Sequence, residues 1–124
     1  MFNLLIVMLG GALGAGARHL TGKVMLGWLG PNYPWGTLTV NLAGGLLMGL
    51  LIGALARISA GEPWRLFLAV GVLGGYTTFS SFALDVVTLY ERGALMVAFG
   101  YVALSVLGAI AAVFAGMAIV RAVA

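Results

Sequence analysis

The sequence predicts an all-α integral membrane protein with four transmembrane helices in a single domain covering residues 1–124, and three observations carry that prediction. Hydrophobic residues make up 63 % of the chain and charged ones 7 %, with a mean hydropathy of +1.16, which leaves too little polar surface to cover a soluble globule. A hydrocarbon core of about 30 Å needs roughly 20 apolar residues in helical form, so this length holds four spans and no soluble domain. The few charges and turn residues, finally, cut the chain into four such runs.

The first span (about 2–28) starts as an uncharged stretch from Phe2 to Ala17 and runs on past Arg18 toward Trp28. No basic side chain precedes it, as a secretory signal would require, so it is expected to stay in the mature chain. Leu29 to Pro34 is a Gly/Pro turn, after which an uncharged run from Trp35 to Ala56, closed by Arg57, gives the second span (about 35–57). The third (about 64–90) holds the uncharged run Leu66 to Leu84 between Arg65 and Asp85. Glu91-Arg92-Gly93 turns the chain into the fourth (about 94–121), closed by Arg121. Small residues recur four apart: Gly10 and Gly14; Gly45, Gly49 and Gly53; Gly71 and Gly75; Gly108, Ala112 and Gly116. That spacing lets helix backbones approach closely in lipid, so a tight bundle is expected.

Orientation follows the excess of Lys and Arg near span ends. With four spans, the termini and second loop share one side, which holds Arg57, Arg65 and Arg121, while the first and third loops hold Arg18, Lys23 and Arg92. The bias is zero. A chain without preference inserts both ways, and two opposed copies can pair about a two-fold axis in the membrane plane. A dual-topology, antiparallel homodimer is therefore expected.

Catalysis is not expected. The acids are Glu62, Asp85 and Glu91, the one imidazole is His19, and their spacing makes no triad, carboxylate pair or metal cluster. With no cysteine, disulfides and thiolate metal sites are excluded, and no basic cluster points to nucleic acid. The chemistry lies in uncharged polar groups inside hydrocarbon, where an unsatisfied hydroxyl or amide costs several kcal/mol. Thr37 and Asn41 share a face of the second span, with Thr39 nearby, and Tyr101 and Ser105 repeat that spacing in the fourth. In the third, Gly74-Gly75-Tyr76-Thr77-Thr78 combines flexible backbone with residues ill suited to helix, so a mid-membrane break is expected. A break exposes carbonyls that can hold a cation. Phe79 and Phe82 then put two rings on one face beside Ser80 and Ser81, and ring edges are positive. Edges and hydroxyls can replace the hydration of a small anion without trapping it on a fixed charge.

Three stretches resemble the CrcB/Fluc fluoride channels: Gly10-Gly11-Ala12-Leu13-Gly14-Ala15-Gly16-Ala17-Arg18, Pro34-Trp35-Gly36-Thr37-Leu38-Thr39-Val40-Asn41-Leu42-Ala43-Gly44, and Gly74-Gly75-Tyr76-Thr77-Thr78-Phe79-Ser80-Ser81-Phe82. The resemblance covers the whole chain. It implies a dual-topology homodimer in a microbial plasma membrane, with two fluoride pores and a sodium ion at the dimer centre. By position, it implies that Phe79 and Phe82 supply the ring edges, that Asn41 holds the rings and a pore hydroxyl in place, and that Tyr101 and Ser105 continue a polar track. It further implies that Thr37, Thr39 and Ser81 line the pore, that Gly74 and Thr77 give carbonyls to the sodium, and that Arg18 draws anions into a vestibule. The chain departs from the family pattern at Tyr76 (usually Phe), Ser81 (Thr), Ala83 (Ser), Asp85 (often Glu) and Ala109, a position often hydroxylated. The rival readings are a small multidrug exporter and a holin-like assembly. The first needs an acid in its first span, and Phe2 to Ala17 has none. The second has no need of Asn41, Thr77 and Phe79 within the bilayer.

Overall fold

The computed structural model describes residues 1–123, which are helical throughout apart from short turns and contain no strand. The elements are α1 (Phe2–Leu29), α2 (Trp35–Ile58), α3 (Glu62–Arg65), a π-wound stretch (Leu66–Leu73), α4 (Gly74–Tyr76), α5 (Phe79–Glu91) and α6 (Leu95–Val123). Four runs are long and apolar enough to cross a membrane: Phe2–Leu29, Trp35–Ile58, Glu62–Glu91 and Leu95–Val123. At about 1.5 Å per residue each exceeds the roughly 30 Å of hydrocarbon, which leaves room for tilt.

Local chemistry explains the ends of these elements. Pro63 sits in the first turn of α3, where its missing N–H is no loss. Gly93 adopts φ 78°, a conformation that penalises a Cβ, and the N–H groups of Gly93 and Ala94 donate to the carbonyls of Tyr90 and Leu89 at 3.0 Å. That closes α5 in one tight turn. The π winding has no counterpart in the sequence reading: Gly74 N–H reaches Ala69 O, five residues back, within an unbroken apolar run. Single π turns recur beside functional sites.

Small residues set the packing. α2 lies against α6 along their lengths, and also against α1. A Cβ on Gly45 would stand 2.8 Å from Ala109 O, and one on Gly116 2.7 Å from Leu50 N, so neither position accepts a side chain without separating the helices. α1 meets the third span in the same way: a Cβ on Gly75 would lie 2.6 Å from Gly11 O. The third span is thereby shared between partners. Its first half, to Tyr76, packs on α1, whereas α5 packs chiefly on α6. Leu38, Phe82, Leu89, Ala98 and Tyr101 form a small core among α2, α5 and α6, while large apolar side chains such as Met96, Leu107 and Phe114 point outward. Lipid tails are as apolar as leucine, so that outward display carries no penalty in a bilayer.

Candidate functional site

Helix stops at Tyr76 and resumes at Phe79. Between them Thr77 (φ −81°, ψ 158°) and Thr78 (φ −150°, ψ 124°) are extended, a conformation that suits β-branched side chains. Gly74 and Gly75 remain helical, and Gly75 contributes close packing against Gly11 rather than backbone freedom, whereas Gly74 is exposed. Side chains replace several of the hydrogen bonds that a helix would have made. Asn41 of α2 accepts Thr78 N–H on Oδ1 (2.9 Å) and donates Nδ2–H to Thr78 O (3.0 Å). Thr78 Oγ1 accepts Ser81 N–H (3.1 Å) and so caps α5, and Thr77 Oγ1 donates back to Leu73 O (3.0 Å). With Thr78 N–H turned to Asn41 and Ser81 N–H turned to the cap, the carbonyls of Gly74 and Thr77 lose the donors that a continuous helix would give them.

α1 fixes the near side of this interruption. Arg18 Nε donates to Gly75 O at 3.2 Å. Thr21 Oγ1 gives its one proton to Ala17 O (2.9 Å), so the Tyr76 hydroxyl is the donor in its 3.0 Å contact with Thr21 Oγ1. Tyr76 stands where the resembled family usually has Phe, and its hydroxyl adds one interhelical bond that a phenylalanine cannot make.

Two clefts meet at Thr78. One, of about 410 Å³ between α2, α5 and α6, is lined by Asn41, Thr77, Thr78, Phe79, Phe82 and Ser105. The other, of about 630 Å³, is lined by Arg18, His19, Lys23, Thr37, Thr78 and Ser81. The first sets two rings and three hydroxyls against an aliphatic wall of Met48, Val106, Ala109, Ile110 and Val113, with no charged side chain; the second is basic. Behind the aromatic cleft the rings continue as a ladder. Centroids of Phe79 and Phe82 are 5.6 Å apart, those of Phe82 and Tyr101 5.3 Å, and those of Tyr101 and Tyr33 5.6 Å. Tyr101 is fully buried and its hydroxyl donates to Asp85 Oδ2 at 3.0 Å. Phe79 is 77 % exposed. Ser105 is 5 % exposed, and its Oγ has no hydrogen-bond partner among the described residues. A buried hydroxyl normally has one.

Of the residues singled out from sequence, Asn41, Thr77, Phe79, Phe82 and Ser105 come together in the aromatic cleft, with Tyr101 one layer behind Phe82. Arg18, Thr37 and Ser81 come together in the basic one, so Thr37 and Asn41, four residues apart, serve different clefts. Thr39 is half-buried and lines neither, and Gly74 is exposed. Sequence reasoning missed Tyr33, which continues the ring ladder from a turn, and Thr21, which bonds to Tyr76. It also left Asp85 without a role, although a lone acid beside an uncharged run needs a partner, and Tyr101 provides it.

The family described as CrcB-like protein, Camphor Resistance (CrcB), matches residues 5–117. The chain belongs to the CrcB-like family. A Mesorhizobium japonicum protein named fluoride-specific ion channel FluC is 54 % identical to it over 121 residues, 98 % of either chain. A protein of the same name from Sphingopyxis alaskensis is 56 % identical over 122 residues, covering 98 % of this chain and 97 % of its own. Another, from a Chelativorans species, is 53 % identical over 124 residues and covers 99 % of both. The CrcB-like region contains every residue of both clefts.

Proposed function

We propose that this chain is a passive fluoride channel of a bacterial plasma membrane, letting cytoplasmic fluoride leave down its electrochemical gradient. The observation that carries the reading is Thr78 as common wall of a basic cleft and an uncharged, aromatic-edged one. Cations in the first concentrate anions. In the second, the free Ser105 hydroxyl and the positive edges of Phe79 and Phe82 stand in for water around a small anion, with no fixed charge to hold it there. The bacterial relatives that cover nearly the whole chain are named for the same activity.

The finer parts of the reading concern assembly and the cation. The two extended residues represent a break of the third span at mid-membrane. Phe79, exposed beside an open cleft, together with the three-against-three charge balance, supports a dual-topology antiparallel homodimer with one fluoride path on each side of its axis. At its centre the carbonyls of Gly74 and Thr77, deprived of helical donors, suit a sodium ion, which prefers oxygen ligands and tolerates neutral ones. Bound there, the ion would stabilise the break by offsetting the partial charges of those carbonyls.

Liposomes containing the purified protein test the function. They are expected to release fluoride and retain chloride, with release reduced at least tenfold in Phe79→Ile and in Phe82→Ile, and lowered when organic cations replace sodium throughout. Absence of fluoride release from the wild type ends the reading, and indifference to sodium removes the cation alone. Orientation has its own test. Two lysines added to the loop at Gly93 should convert mixed topology into one orientation and depress fluoride resistance in cells; a wild-type chain already found in one orientation excludes the inverted dimer.

A further inference from the structure

Two guanidiniums that have no partner among the described residues stand over an apolar cleft at the end of the bundle that holds the chain's N-terminus. Arg57 lies in the last turn of α2 and Arg121 in the last turn of α6. Between them is a cleft of about 220 Å³ walled by Ile52, Ala56, Met117 and Val120. Gly53 creates it: a Cβ there would lie 2.9 Å from Val120 Cβ, so the helices close together just inside while alanine at 56 leaves the mouth open. The other three arginines are engaged, Arg65 with Glu62, Arg18 with Gly75 O and Arg92 with Asn32 O. Among the described residues Arg57 and Arg121 make neither a hydrogen bond nor an ion pair.

We propose that this cleft binds an anionic phospholipid, its phosphodiester held by Arg57 and Arg121 and the start of one acyl chain laid along the apolar walls. Charge decides the class of headgroup. Two helix C-termini contribute about −0.5 each against two full positive charges, so roughly one positive charge remains, which matches a single phosphodiester. Guanidinium is the side chain best shaped to take two phosphate oxygens at once. The apolar walls exclude free inorganic phosphate as the intended occupant, because it would gain nothing from Ile52, Met117 and Val120. Basic pockets between spans at a membrane face are suited to such headgroups. This inference needs only a membrane-embedded chain, so it stands or falls apart from the fluoride reading.

Native mass spectrometry and thermal unfolding of the whole protein in neutral detergent test it, with phosphatidylglycerol, phosphatidylcholine and inorganic phosphate added separately. Phosphatidylglycerol should bind and raise the unfolding midpoint, phosphatidylcholine should do so weakly, and inorganic phosphate should do neither. In R57Q/R121Q, phosphatidylglycerol binding should weaken by about tenfold or more, the loss expected from one or two charge-assisted bonds. R57K/R121K should recover part of it. Equal effects of the two lipids on the wild type, or undiminished phosphatidylglycerol binding in R57Q/R121Q, overturn the proposal. Inorganic phosphate matching the lipid overturns it as well, since the acyl chain then contributes nothing. Should the double variant not fold, R57Q and R121Q are compared singly, and each must weaken binding.

Discussion

Asn41→Ala should abolish fluoride release from liposomes, to below about a tenth of the wild-type rate. The asparagine side chain takes the place of two backbone partners at once, since Thr78 N–H donates to its Oδ1 and Thr78 O accepts from its Nδ2. Alanine would leave a donor and an acceptor unsatisfied in a part-buried region of low dielectric, at about 1–3 kcal/mol each. A total of roughly 2–6 kcal/mol is a large fraction of the about 5–15 kcal/mol that holds a typical folded domain together. The segment can escape it only by moving Thr78, the one residue that lines both clefts. Asn41→Asp provides the contrast. It keeps the acceptor for Thr78 N–H but loses the donor and places a negative charge in the proposed anion path, so it should fold better than Asn41→Ala and still conduct poorly. Wild-type flux through Asn41→Ala would show that Thr78 holds its position without this side chain.

The second large effect is on folding. Gly14→Ala should lower the thermal midpoint and the yield of monodisperse protein sharply, whereas Gly16→Ala should be neutral or mildly stabilising. Alanine is the better helix former by about 1 kcal/mol, and that gain is open to both positions. Nothing lies within 4 Å of a Cβ on Gly16. A Cβ on Gly14 collides with Val72 O and comes within 2.8 Å of Tyr76 N, backbone atoms that cannot rotate aside. α1 would have to back away from the third span, loosening the Gly10–Gly71 and Gly11–Gly75 contacts and the Arg18 bond to Gly75 O. Overpacking of this kind costs about 1–3 kcal/mol or more. Equal stability of the two variants would mean that α1 is not in close contact here.

Much of this architecture was legible because membrane sequences advertise it. Charged residues are so costly in hydrocarbon that Arg57, Arg65, Asp85 and Arg121 bracket the uncharged runs of the last three spans. Small residues four apart announced tight packing, and the glycine contacts across α1, α2 and α6 occur at those positions. Hydroxyl and amide groups in apolar runs marked the clefts, because such groups need partners. What stayed hidden was which partner each would find. Asn41 pairs with backbone, and backbone chemistry carries no residue-specific signal. Arg18, read as an anion attractor, spends its Nε on Gly75 O, a contact that needs two helices in register across 57 positions. The π winding of Leu66–Leu73 has no polar residue to mark its period.

The division of the third span between α1 and α6 also has a consequence during synthesis. The carbonyl that receives Arg18 lies 57 residues further along the chain. A ribosome adding roughly 5–20 residues per second needs about 3–11 seconds to cover that distance. Through that interval the first helix sits in the membrane with its guanidinium bond unmade and its glycine face uncovered. Only when Leu66 to Tyr76 arrives can the near half of the bundle close, while α5 must wait longer still for α6. The two halves of one span are thus completed at different stages of translation, the first when Tyr76 emerges and the second when α6 follows, with the Thr77–Thr78 joint between them.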